Sequence, residues 1–203
     1  MNVKGTLTPA ACNISITGAA DYGTLRFADL QAAGVNNGAY QLGEKNVTYN
    51  ITCDSEVKIA LTIKADSNAT VNPSFSVNYN GSTGASNAPA LGILKDFGVG
   101  KSPRYLGYYV VKIKPISFAD SSAAKLLHSN NAGVTWTDAP VGVIADLKAA
   151  TMYTWGKESG VPAAFSSLSG TLGVSAAVDP SVLKVARDDI SFDTNATVTL
   201  YYI

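Results

Sequence analysis

Charge is scarce in this sequence. Only 15% of its 203 residues are Asp, Glu, Lys or Arg, and 15 acids balance 15 bases to a net charge of zero. So sparse and even a charge set builds no field to gather a polyanion or an anionic bilayer, which excludes nucleic acid and membrane surfaces as partners. Histidine is nearly absent, so a nucleophile–base–orienter arrangement would have to run through His128. That residue lies in LLHSNNAG beside a turn, without a G-x-S-x-G or comparable signature, and reads as a surface loop residue. The acids are scattered. Their adjacent pair, Asp188-Asp189, points to opposite faces if extended, so the paired carboxylates of a glycosidase are not in view. GVGKS lacks the spacing of a phosphate loop. No enzyme activity, cofactor or metal is expected. No run of 18 apolar residues occurs, so no segment reads as a membrane-spanning helix.

Cysteine is limited to Cys12 and Cys53, each in a strand-like context, CNISI and VTYNITC. Two cysteines and one histidine fall short of four zinc ligands, and a disulfide is the better reading against two buried thiols. A loop of this length, once closed, stabilises by about 4 kcal/mol on chain-entropy grounds. A disulfide also implies an oxidising compartment. With few charges, the surface must be dressed with Ser, Thr, Asn and Gly, as in many secreted β-proteins. No signal peptide opens the sequence, which reads as a mature form with an added start residue.

What is present is mostly period-2 alternation. Val47, Tyr49, Ile51 and Cys53 alternate with polar residues, as do Val57, Ile59, Leu61 and Ile63. CDSE reads as a short connection between two neighbouring strands. Phe75, Val77 and Tyr79 suggest another strand, closed by the turn-rich NGSTGASNAP. LGYYVVKIKPISF is apolar on both faces in its first half, as a central strand would be, and Pro115 marks a bulge or an edge. Leu172, Val174, Ala176 and Val178 alternate before Asp179-Pro180, and NATVTLYYI carries strand periodicity to the last residues. SSAAKLLHS, RFADLQAAG and PSVLKVA could each give one or two helical turns. Many short strands with turn signals every 8–12 residues predict an all-β sandwich in a single domain over residues 1–203.

Two local features stand out. Ser129-Asn130-Asn131-Ala132-Gly133-Val134-Thr135-Trp136 resembles the Asp-box, S-x-D-x-G-x-T-W, with Asn131 in the place of the acid. In that motif the acid-position side chain caps a hairpin turn, the glycine takes positive φ and the tryptophan packs beneath. Sialidases carry several copies. One copy in a chain too short for a propeller argues for a stable hairpin. The aromatic run from Tyr105 through Tyr108 to Tyr109 could stack sugars, although alternation turns half of its rings toward the core.

The two ends match a family when taken together. GTLTPAAC, DYGTL, LGEKNVTYNITCD, LGYYVV and DTNATVTLYYI follow in order over nearly the whole chain. This series resembles a pilin-related family of secreted proteobacterial proteins long filed as a domain of unknown function, itself similar to chaperone-usher fimbrial subunits. Each motif is modest alone; the ordered set is specific. The resemblance implies an immunoglobulin-like, pilin-type Greek-key sandwich that is incomplete and needs a donor strand. It implies a Cys12–Cys53 bond and a donor-strand groove lined by Val3, Gly5, Leu7, Val198, Leu200 and Tyr202. The partners implied are a periplasmic chaperone and neighbouring fimbrial subunits, with a host glycan or protein receptor, at the cell surface after passage through the periplasm.

Two departures qualify the transfer. Only Met1-Asn2 precede Val3, where a polymerising pilin carries a donor extension. The chain is also longer than a common pilin, with an enlarged insertion expected between residues 80 and 165. The rival reading is a self-complete secreted carbohydrate-binding sandwich using Tyr105, Tyr108 or Trp136.

Overall fold

The computed structural model describes residues 11–66, 75–79, 82–84, 89–91, 93–94, 104–140, 143–145, 147–184 and 192–203. The chain begins with β1 (Cys12–Thr17), α1 (Phe27–Ala33), β2 (Tyr40–Val57) and β3 (Ile59–Ala65). Short strands follow: β4 (Val77–Tyr79), β5 (Ser82–Gly84), β6 (Ile93–Leu94) and β7 (Arg104–Tyr105). Then come β8 (Gly107–Ala119), β9 (Ser122–Ser129), β10 (Thr137–Asp138), β11 (Met152–Gly156) and β12 (Phe165–Val178). A 3₁₀ turn (Pro180–Lys184) and β13 (Ala196–Tyr202) close the described structure. The protein is all-β, and its strands pack in two layers.

One antiparallel path runs β1-β2-β12-β8-β9-β11-β3-β13, with β10 on the side of β9. The path becomes two layers because β8 and β9 pair only near their turn. Ser117, Phe118 and Ala119 face Ala124, Ala123 and Ser122, after which β9 leaves β8 and pairs with β11 from Lys125 to Ser129. Alternation then decides which side chains meet. Tyr49, Ile51, Val111, Ile113, Leu168 and Leu172 of one layer face Ile59, Leu61, Ile63, Tyr153 and Trp155 of the other in one buried cluster. The Tyr49 and Trp155 rings, 5.9 Å apart between centroids, span the layers. Burial pushes the Tyr49 hydroxyl up to about 12, partly offset by its bond to Ser117 Oγ at 3.1 Å. Gly170 lies over this pair, where any Cβ would run into the Tyr49 ring and Ser117.

Several expectations meet the structure directly. Cys12 and Cys53 are bonded and face each other in the β1–β2 ladder. β8 is central, flanked by β12 and β9, and buried on both faces from Gly107 to Ile113. Pro115 sits where the β8–β12 register slips between Ile113 and Ser117. CDSE, however, is no turn. β2 continues through it to Val57, and the register with β12 jumps from Thr52 to Val57, so Asp54, Ser55 and Glu56 bulge outward within one strand. β2 and β3 therefore lie in different layers and are not paired neighbours. SSAAKLLHS is strand β9, not helix, because Asp120 and Ser121 at φ +46° and +65° turn it straight back along β8. RFADLQAAG does form α1. Outside the main path, Phe75, Val77, Ala90 and Tyr108 build a smaller apolar cluster with Ala39, Val110 and Ala177.

Candidate functional site

The two ends of the path remain open. β1 pairs with β2 and β13 pairs with β3, and neither has a second strand partner among the described residues. They approach at one point, where the Cys12 N–H donates to Tyr202 Oη at 2.9 Å. Behind that contact lies a cavity of about 1030 Å³. Its floor is the core itself: Val47, Ile63, Val111 and Leu172, with Ile16 on the β1 side and Val198 on the β13 side. A β-sandwich normally covers such residues with a strand.

β13 offers the alternation such an opening requires. Val198 and Leu200 are half-buried against the core, while Thr197, Thr199 and Tyr201 are exposed. Tyr202 is 54% exposed, and its hydroxyl contact with β1 makes it, among the described residues, the one bridge across the opening. Each edge strand also turns alternate backbone N–H and C=O groups away from its single neighbour, the template to which an added strand binds. Val3, Gly5 and Leu7, the remaining predicted groove residues, lie outside the described residues.

A strap of irregular chain, residues 18–26, forms another wall of the cavity. Tyr22 anchors it by hydrogen bonds to the carbonyl oxygens of Val174 at 2.9 Å and Gly43 at 3.2 Å, and the Lys45 ammonium stands 5.8 Å from its ring centre. Burial, and then the nearby Glu44 carboxylate, push the Tyr22 hydroxyl up to about 12. It therefore stays a donor at neutral pH. Within the strap the Gly23 N–H bonds the Asp21 carboxylate at 2.7 Å, closing a turn at Gly23 φ +62°. DYG stands out in the sequence as part of the family series, and its isolated aromatic in a polar, Gly-flanked stretch is the one local signal of this anchor.

The Asp-box-like segment is a self-satisfied turn. Asn131 Oδ1 accepts from the Thr135 N–H at 3.0 Å and from Ser129 Oγ at 2.8 Å, and Asn131 Nδ2 donates to Thr135 Oγ1 at 2.8 Å. The Gly133 N–H donates to Ser129 Oγ at 2.9 Å, and Gly133 has φ +84° with its Cα beside the Trp136 ring. These atoms bond one another, which suits a structural turn. His128, read as a loop residue, is instead half-buried within β9, opposite Thr137 and Tyr153.

The aromatic run does not form one platform. Tyr108 is only 5% exposed, packed at tilted angles between the rings of Phe75 at 5.4 Å and Tyr105 at 6.1 Å, so it leaves the candidate ligand surface. Tyr105 is half-buried in that cluster, while the half-buried Trp136 belongs to the β9–β10 hairpin. Asp188 and Asp189 lie outside the described residues. Among the described residues no three His, Cys, Asp or Glu side chains gather as a metal site, and no helix is long and apolar enough to cross a membrane.

Comparison with known proteins places the chain in a family. The family described as "Protein of unknown function (DUF1120)" matches residues 1–105, just over half of the chain, and the chain belongs to it. It is also similar to Protein GltF of Escherichia coli (strain K12), at 26% identity over 222 aligned positions that cover 100% of this chain and 87% of that protein. No solved structure matches it.

Proposed function

We propose that this DUF1120 protein is a fimbrial or fimbria-like surface subunit, without catalytic activity, whose opening between β1 and β13 receives an extended strand from a partner. The observation that carries the reading is the cavity floored by core residues between two edge strands. A strand of alternating hydrophobics laid there would satisfy backbone groups on both edges and place every second side chain over Val111 and Leu172. The partners that fit are a periplasmic chaperone first and the extended arm of a neighbouring subunit afterwards. The Cys12–Cys53 bond suits the oxidising periplasm that such a route crosses.

The test is thermal unfolding with synthetic ten-residue peptides of alternating Val, Ile or Leu against scrambled controls. A ligand that binds only the folded state adds about 2.7 kcal/mol at a concentration a hundred times its Kd. Tyr202→Ala should weaken binding more than Tyr201→Ala, because Tyr202 reaches β1. The reading is overturned if no alternating peptide shifts the unfolding temperature, or if the shift survives Val198→Asp.

A further inference from the structure

The strands that floor the cavity have an opposite face, and its make-up is unusual in another way. The register aligns three outward residues on each of β1, β2 and β12. Asn13, Thr52 and Ser167 form one row; Ser15, Asn50 and Ser169 the next; Thr17, Thr48 and Thr171 the third. All nine are Ser, Thr or Asn, seven of them exposed and two half-buried. Only Ser167 uses its side chain internally, bonding Asp120, among the described residues. The middle row continues onto β8 at Phe118, which is 47% exposed, and Ile116 beside it is 65% exposed. No charged side chain interrupts the array. Among the described residues charges stand at its borders: Asp54 beyond Thr52, Asp120 beyond Ser167, and the Glu44–Lys114 ion pair beside Gly173.

We propose that this face binds a neutral polysaccharide chain, with Phe118 as the stacking ring and the three rows as its hydrogen-bonding bed. An anionic polymer would need cations, and the array has none. A protein partner would need an apolar interface centre, and the only exposed apolar groups here lie along one margin. Sugar rings match what is offered, since their hydroxyls pair with neutral hydroxyls and amides while their C–H faces stack on an aromatic ring. The donors repeat at roughly 4.8 Å across the strands and about 6.7 Å along them. Four are threonines, whose stiff χ1 limits the ordering cost of binding. The proposal does not depend on the strand-accepting opening, which lies on the other side of the same strands.

The experiment is depletion onto microcrystalline cellulose and chitin, with affinity electrophoresis in dextran and hydroxyethylcellulose, using the full chain. At least one of these should retain the protein. Asn50→Asp combined with Thr171→Asp should cut that retention about tenfold or more, and Phe118→Ala several-fold. Thr197→Asp, on the exposed side of β13, should leave it unchanged. Unfolding temperatures near the wild-type value keep the variants interpretable, and Ser15→Asp gives a second, independently exposed substitution. The proposal is overturned if none of the four polysaccharides retains the protein. It also fails if folded variants are retained like the wild type, if heparin or alginate is bound equally well, or if the array alters ice growth but holds no glycan.

Discussion

The two seams where the layers meet are built differently. At the β8–β9 seam the chain folds straight back on itself. Three ladder pairs hold it, and the Asp120 carboxylate in its turn accepts the backbone N–H and hydroxyl groups of Ser166 and Ser167 on β12. At the β1–β13 seam, strands 190 residues apart share one hydrogen bond among the described residues, and the core shows through between them. A hairpin closes its seam by local geometry. Among the described residues the β1–β13 seam has no such device, so the strand proposed to come from a partner would enter there. Strap residues 18–26, anchored by Tyr22, cover part of that gap without pairing as a strand.

The largest expected effect breaks the open seam further. Among the described residues β1 has only β2 as a strand partner, and the Cys12–Cys53 bond ties the two. Cys12→Ala with Cys53→Ala should cost about 2–5 kcal/mol in urea unfolding and lower peptide binding with it, since β1 is one bank of the opening. Peptide mapping without reduction should recover Cys12 linked to Cys53; two thiols open to alkylation in the folded protein would sink the assignment. Next in size is a substitution inside the closed layers. Gly170→Ala would push a Cβ into Tyr49 and Ser117 and should cost about 1–3 kcal/mol as an overpacking change. A neutral result would mean that Tyr49 can move away from Ser117, and that the closed side is no tighter than the open one.

The difference between the seams also marks what the sequence reveals. Alternation in Val47-Tyr49-Ile51-Cys53 and the two-faced apolar run of β8 are local signals, and both appear in the structure as read. The Ser129–Trp136 turn was legible for the same reason, since the bonds that link Ser129, Asn131, Gly133 and Thr135 lie within five residues. SSAAKLLHS was not, because its alanines and leucines favour helix until the Asp120-Ser121 turn pairs it against β8. The polar CDSE looks like a turn, yet it bulges because β12 pairs across both of its ends. The opening is non-local throughout: Val198 and Leu200 gave their inward phase from alternation, while the strap over the cavity left no periodic trace.

A smaller effect tests the turn at the end of β9, which belongs to the closed side. Gly133→Ala should destabilise by about 1 kcal/mol, because a side chain is disfavoured at φ +84° even where the space is open enough, with Trp136 Cζ2 3.4 Å from the new Cβ. Asn131→Asp keeps the oxygen that accepts from Thr135 N–H but removes the donor to Thr135 Oγ1, so it should cost less than Asn131→Ala. Equal losses for the two would show that the Asn131 oxygen does not organise the turn.

The smallest effect is acid sensitivity at the closed seam. Desolvation is the largest single influence on the Asp120 carboxyl and raises it, but the bonds it accepts from Ser167 and Ser166 together outweigh this and hold it below the usual carboxylate range. A carboxyl with a lowered folded-state pKa binds its proton more readily in the unfolded chain. Its contribution is therefore complete above the unfolded value, about 3.9, and is lost as pH falls through the lower folded value. Asp138 behaves the same way, lowered by the Ser159 hydroxyl, the Gly160 N–H and Lys125. Urea midpoints should hold level from neutral pH down to about pH 5 and fall below about pH 4, and Asp120→Asn should flatten part of that fall. Because Asp120 is exposed, solvent screens it and the change should be modest beside the disulfide and Gly170 effects. Parallel curves for wild type and Asp120→Asn would mean that the serine bonds persist in the unfolded chain or never form. The closed seam would then rest on its three ladder pairs alone.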